Sequence, residues 1–321
     1  MPMNPAAPVD NSGRLLSWAR RQSSWSLGDI ARHAIELIDQ WTPHQQGTPG
    51  DFRPLVERDL SAGWVPHAPE VLEQSLAYAC NICGAANVAK VATLERENPS
   101  CRRCGSTVRS RSIVDLLSRA LFGASLPIPR FPRDSRKCGV GLSDAHVYAH
   151  RLARKLAYVN TYYHRPPHLD VCAPDHDLRD SCDFVLASDV LEHVVPPVNA
   201  AFAGIHSLLR ANGVLVGSVP YSLKQATVEH FPHLHEFRID GKPGAQRVHN
   251  RRRDGTEEVF DQLVFHGGDG STLEMREFSR SSLTAELEAA GFSRIRIAEQ
   301  DVYEWGIVWL QPWSIPFVAF K

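Results

Sequence analysis

The sequence predicts an α/β fold: a doubly wound, mostly parallel, seven-stranded sheet, preceded by an N-terminal helical region and a four-cysteine zinc ribbon. Three observations predict it. From residue 135 onward, short apolar runs alternate with helix-spaced stretches, as strands and covering helices do in turn. Two C-x-x-C pairs, Cys80 with Cys83 and Cys101 with Cys104, stand 17 residues apart. The composition is globular: 321 residues, 43% hydrophobic and 22% charged. That is long enough to bury a core without disulfides.

Taken in order, residues 1–13 hold three Pro and little pattern, and a disordered start is expected. Ser26-Leu27-Gly28-Asp29 reads as a capping box. Ile30, Ala34, Ile35, Leu37, Ile38 and Trp41 then follow helical spacing, which predicts a helix near 27–41. Residues 42–70 are rich in Pro, Gly and His and read as irregular. A second helix is expected from Ser106 to Leu121, with Ile113, Val114, Leu116, Leu117 and Leu121 on one face. The Pro-rich stretch 123–134 is the expected linker. Beyond it, strands are expected at 136–142, 157–163, 168–172, 183–188 and 213–219. Helices fit near 145–155, 196–210 and 280–291. Two tail segments, 294–299 and 304–320, are placed to close the sheet. The expected division is 1–77 helical and irregular, 78–122 ribbon and helix, 123–134 linker, and 135–321 the sheet domain.

Charge narrows the partners. The net charge is −1, from 35 basic and 36 acidic residues, so the chain as a whole attracts neither nucleic acid nor anionic lipid. One local patch exists: residues 101–137 carry nine Lys/Arg against two Asp. No run reaches the roughly 18 apolar residues of a membrane span. The first residues lack the basic and apolar regions of a secretory signal. Seven Cys, four of them in C-x-x-C pairs, fit metal binding in a reducing compartment. A cytoplasmic location without a membrane partner is expected.

The cysteine unit carries the clearest chemistry. Two residues between thiolates let both sulfurs reach one tetrahedral ion, and a Gly follows each pair, at 84 and 105, where the chain must turn tightly. Four soft ligands select Zn²⁺ and leave no open position, so Cys80, Cys83, Cys101 and Cys104 are expected to hold a structural ion. Redox dithiols and an iron–sulfur centre are the alternatives. Arg102, Arg103, Arg109 and Arg111 beside them would either contact phosphates or dock the ribbon on the larger domain. Cys138, Cys172 and Cys182 lie in or beside apolar runs and are expected to be buried, inert thiols.

The run Asp183-Phe-Val-Leu-Ala-Ser-Asp-Val-Leu-Glu-His-Val194 is a buried strand ending in a polar cluster, where open α/β sheets place ligands. A helix, the turn Arg210-Ala-Asn-Gly213, the strand Val214–Val219 and Pro220 follow. This succession resembles the middle of a class I S-adenosylmethionine (SAM)-dependent methyltransferase, strands four and five. The tail from Val264 to Lys321 resembles bacterial members with an N-terminal cysteine ribbon. The resemblance covers about 78–112 and 135–321, and it implies SAM as cofactor. It places Gly139 and Gly141 in the turn after strand one, with Asp144 in the cofactor site, and either Ser143 or Asp144 is expected to cap the next helix. It places Asn160 where the family has an acid for the ribose hydroxyls, Asp170 near the adenine amino group, and Ser188 and Asp189 at the rim.

Methyl transfer from a sulfonium is an in-line displacement, so alignment and exclusion of water dominate. An oxygen acceptor most needs a base, and His193 at the rim is the first candidate, with His235 (in His230-x-x-His233-x-His235) and His266 beside Gly residues as further ones. Asp189, Glu192 and His193 form D-x-x-E-H. This resembles the E-x-x-E-H of some small-molecule and RNA-end O-methyltransferases and offers oxygen ligands for Mg²⁺, although the shorter first acid argues against that ion. The N/D-P-P-Y/F motif of base-nitrogen methylation is absent after strand four. The expectation is O-methylation of a small molecule or saccharide. RNA modification, motivated by the Arg-rich segment, is the first alternative. A non-catalytic zinc-ribbon scaffold is the second.

Overall fold

The computed structural model describes residues 11–22, 64–242, 244–266 and 272–321. The helix expected at 27–41 lies outside them. Helix α1 (Asn11–Gln22) starts inside the stretch expected to be disordered, and it buries Leu15 and Trp18. A short helix α2 (Pro69–Leu72) leads into the hairpin β1 (Ser75–Ala79) and β2 (Ala86–Lys90). Helix α3 (Val108–Phe122) follows the second cysteine pair. Thr107 and Ser110 form its capping box, and Gly123 ends it with a left-handed φ of 68°.

The central sheet has six strands among the described residues, in the order β15-β16-β6-β5-β3-β4. They are β3 (Asp134–Leu142), β4 (Leu156–Thr161), β5 (Cys182–Ser188), β6 (Leu209–Ser218), β15 (Ser293–Ile297) and β16 (Phe317–Phe320). Strands β4, β3, β5 and β6 pair in parallel, and β16 enters antiparallel between β6 and β15. The expected seventh strand, 168–172, is reduced to a single bridge between Tyr162 and His168. The reason is local. The Asp170 carboxylate accepts the Cys172 N–H at 2.9 Å, the Asp170 carbonyl accepts the Ala173 N–H, and the chain turns instead of extending. Cys172 is therefore exposed, not buried, while Cys138 and Cys182 are buried as expected.

Alternation along the strands builds two cores. Cys138, Val140, Val185, Ala187, Leu215 and Phe317 face one side, where α1, α5 (Asn199–Leu208) and α6 (Arg280–Ala289) pack. Tyr158, Phe184, Leu186, Val214, Val216 and Val318 face the other, against α3 and α4 (His146–Leu152). Within the stretch expected to be a linker, Ile128 and Phe131 are buried in this second core, and the Ile128 N–H bonds the Asn81 carbonyl in the first cysteine turn at 2.7 Å. No strand was expected between 220 and 279, yet short strands form there among the described residues. They are β7 (Tyr221–Ser222), β8 (Val228–Glu229), β9 (Glu236–Asp240), β10 (Arg247–Arg251), β11 (Glu257–Phe260), β12 (Phe265–His266), β13 (Thr272–Leu273) and β14 (Arg276–Ser279), in three small sheets. They are two to five residues long, too short for a period to stand out; β9 does alternate, as Glu-Phe-Arg-Ile-Asp, but its Phe237 and Ile239 remain exposed.

Candidate functional site

Strand order reverses between β3 and β5: β4 lies beyond one and β6 beyond the other. The C-terminal ends of β3 and β5 therefore open a crevice, the place where such sheets receive ligands. Gly139, Gly141, Asp144 and Asn160 lie on its β3 side, and Ser188, Asp189 and His193 at the end of β5.

On the β3 side, the glycines make room for side chains of the sheet. A Cβ on Gly139 would stand 2.2 Å from Phe184 Cζ, and one on Gly141 would stand 2.0 Å from Tyr158 Oη. Asp144 is buried and accepts from Tyr158 Oη at 2.6 Å and Tyr148 Oη at 2.9 Å. Burial pushes its carboxyl up to about 6, against the pull of the two hydroxyls and of Arg109. Asp144 does not cap α4 through its side chain; Ala145 stands at that position without a side-chain cap. Asn160 braces the same loop. Its Oδ1 accepts the Asp144 N–H at 2.9 Å and its Nδ2 donates to the Asp144 carbonyl at 3.0 Å. Asp170 is engaged in its own turn.

On the β5 side, Ser188 shares a 3.0 Å bond with Ser218 and accepts from Arg109 Nη1 at 2.6 Å. Asp189 leaves the strand at a left-handed φ of 53°. Its carboxylate accepts two bonds from the Arg96 guanidinium, at 2.8 and 3.1 Å, and one from Ser218 Oγ at 2.8 Å. Arg109 Nε stands 3.3 Å from Asp189 and is also paired with Glu97. The arginines outweigh the cost of burial and hold the Asp189 carboxyl down at about 2. Both come from the ribbon region, and Arg96 carries no motif that would have singled it out.

The D-x-x-E-H segment then coils into a 3-10 turn over Leu191–His193. Glu192 is fully buried, and burial pushes its carboxyl up to about 7. His193 Nδ1 bonds the Leu273 carbonyl at 2.8 Å, so that nitrogen carries the proton and Nε2 keeps its lone pair. Burial lowers the His193 pKa, while the Glu192 carboxylate beside His266 raises that of His266. His266 Nε2 stands 2.8 Å from Glu274, and His230 Nε2 bonds the other Glu274 oxygen at 2.9 Å. His193 and His266 thus meet, with Glu192, in one group whose ligand atoms lie within 4.8 Å of one another. His235 does not join it; it is exposed, with its backbone N–H donating to Asn250.

The four ribbon cysteines do converge. Sγ separations are 3.7 Å for Cys80–Cys104 and 3.6 Å for Cys83–Cys101, and all four lie within 4.8 Å. Ligands about 2.3 Å from one tetrahedral zinc ion stand about 3.8 Å apart, so the donor set fits that ion. Gly84 and Gly105, with φ of 77° and 67°, close the two turns by donating to the Cys80 and Cys101 carbonyls. Of the neighbouring arginines, Arg102 and Arg103 are exposed. Arg111 is fully buried and donates to Ser106, Ser100 and, 195 residues away, the Gly306 carbonyl at 2.8 Å. Arg109 and Arg111 therefore dock the ribbon on the sheet domain.

No protein-family model matches the chain, and no curated protein matches it. Solved structures overlap it in part. A Burkholderia thailandensis 1,6-didemethyltoxoflavin-N1-methyltransferase, bound to its substrate and S-adenosylhomocysteine, is 17% identical over 65% of this chain and 78% of its own, with a TM-score of 0.36. An amino pentose methyltransferase from Micromonospora echinaspora, bound to SAM, is 16% identical over 67% and 92%, with a TM-score of 0.36. A Listeria monocytogenes protein described as a putative SAM-dependent methyltransferase is 11% identical over 66% and 99%, with a TM-score of 0.37. These are distant, partial overlaps. Among the described residues no helix is long and apolar enough to cross a membrane.

Proposed function

We propose that the chain is a SAM-dependent methyltransferase acting on oxygen of a small molecule or saccharide, with a structural zinc ion held by Cys80, Cys83, Cys101 and Cys104. The observation that carries the reading is the crevice between β3 and β5, with Asp189, Glu192 and His193 at its β5 rim. SAM, when bound, supplies the methyl group as a sulfonium. The Arg96–Asp189–Arg109 network suits the charged amino-acid end of such a cofactor, presenting guanidinium to its carboxylate and carboxylate to its ammonium. Asp144 and Asn160 act by holding the loop after β3. Gly139 and Gly141 act by letting Phe184 and Tyr158 close under it. His193 and His266, rather than His235, are the groups placed to act on an acceptor hydroxyl.

Calorimetric titration of zinc-replete protein with S-adenosylhomocysteine tests this. Saturable binding is expected, and its absence would remove the reading. One observation favours the scaffold alternative: the polar atoms of Asp189 and Asn160 already have protein partners. Failure of the titration would move that alternative to first place. For RNA modification, only Arg102 and Arg103 of the four ribbon arginines remain on the surface. A steep fall of RNA affinity with salt would be its signature.

A further inference from the structure

Glu192, His193 and His266 form a cluster around a buried carboxylate that no hydrogen bond among the described residues satisfies. Glu192 is 0% exposed, and neither of its carboxylate oxygens has a hydrogen-bond partner among the described residues. Oε1 stands 3.7 Å from His193 Nε2 and 3.7 Å from His266 Nδ1. That is too long for a hydrogen bond. It is within a few tenths of an ångström of the spacing between two donors each about 2.1 Å from one tetrahedral ion.

The outer nitrogens explain why the inner ones face inward. His193 Nδ1 donates to the Leu273 carbonyl, and His266 Nε2 points at Glu274, itself held by His230. An imidazole whose far N–H is fixed by a carbonyl or carboxylate is the usual supported metal ligand, with its tautomer set and its basicity raised. Here both rings carry that support and turn their other nitrogen toward one buried carboxylate.

We propose that Glu192, His193 and His266 bind one first-row divalent transition ion. Two imidazoles and one carboxylate suit Zn²⁺, Co²⁺, Mn²⁺ or Fe²⁺ better than Mg²⁺, which prefers oxygen throughout. Asp189, the remaining polar residue of the D-x-x-E-H segment, is excluded because Arg96 and Arg109 hold it. The site is thus distinct from an Asp189-containing Mg²⁺ site. Three protein ligands leave positions open for an outside oxygen donor. A hydroxyl coordinated there loses its proton more easily, and His193 then serves as ligand rather than base. This role in the reaction rests on the methyltransferase reading; retention of the ion does not.

The test is a Co²⁺ titration of protein whose ribbon is already filled with zinc, read by metal content per chain and by visible absorption. Wild type is expected to take up a second ion whose bands lack thiolate charge transfer. Glu192→Gln and His266→Asn are each expected to lose that second ion while keeping the ribbon zinc, which also reports that they fold. A single ion per chain at saturation, meaning an ion pair of His266 with its carboxylates only, would overturn the proposal. So would an unchanged second ion in both variants. The S-adenosylhomocysteine titration is separate. A second ion without cofactor binding leaves the metal site standing and removes only its role in methyl transfer.

Discussion

Replacing Asp189 by Asn tests whether the ribbon is clamped to the sheet by a desolvated ion pair or merely touches it. The carboxylate accepts from Arg96 twice, at 2.8 and 3.1 Å, and Arg109 stands 3.3 Å away. Asp189, Arg96 and Arg109 side chains are each about one-fifth exposed, so solvent screens them only partly. Asn presents the same neutral face as a protonated Asp. The depression of the Asp189 carboxyl from 3.8 to about 2 therefore estimates the loss, roughly 2 kcal/mol. Because the folded-state pKa is lowered, this stability is fully present above the unfolded value. It is lost only as the pH falls through about 2, so the difference between the proteins should be constant across neutral pH. Urea denaturation of the zinc-replete pair measures it. A difference under about 0.5 kcal/mol, or one erased by high salt, would mean that the contact behaves as a surface pair, and the clamp argument would fail.

Other outcomes follow from buried groups. Arg111→Met strips the buried acceptors Ser106, Ser100 and Gly306 of their donor and should cost about 3 kcal/mol in urea unfolding, with faster proteolysis at the ribbon; an unshifted midpoint would count against the docking role. Asp144→Asn should act in the opposite direction. The Asp144 carboxyl is raised to about 6, so wild type loses stability as pH rises from about 4 through 6, and above that the variant should be more stable by up to about 3 kcal/mol in pH-dependent melts. Gly139→Ala drives a methyl into the Phe184 ring and should cost about 1–3 kcal/mol, partly recovered by adding Phe184→Leu; full tolerance would show that the strand can shift.

What the sequence revealed was what depends on neighbours along the chain. The cysteine turns need only C-x-x-C and a following Gly, and their sulfurs converge as the spacing requires. The buried stretches of β3, β4, β5 and β6 are mostly apolar runs, visible without knowing their partners. The expected strand at 168–172 had the right residues, but the Asp170 side chain competes with a neighbouring strand for the Cys172 N–H, and the side chain wins. The site was less legible because its pairs are distant. Arg96 meets Asp189 across 93 positions, and His193 bonds the Leu273 carbonyl across 80. Asp189 and Glu192 look alike in a sequence. Only the fold assigns one to a pair of guanidiniums and the other to a pair of imidazoles.

That division has a geometric cause with a consequence. The left-handed φ at Asp189 turns the chain out of β5, and the 3-10 turn over Leu191–His193 carries Glu192 away toward the short strands of residues 265–279. The turn is held from that side too: buried Arg276 donates to the Leu191 carbonyl at 2.9 Å, and the Met275 N–H donates to the Glu192 carbonyl at 2.8 Å. Five residues, 189–193, are thus gripped by the ribbon at one end and by β14 at the other. Loosening the ribbon should relax the ligand geometry at Glu192 and His193 without touching either. Cys104→Ser, which removes one ribbon thiolate, should therefore weaken Co²⁺ binding at the Glu192 cluster, in a titration read at the thiolate-free bands. An unchanged isotherm would mean that the Arg276 side alone sets the turn, and that the ribbon contributes stability but no geometry to the site.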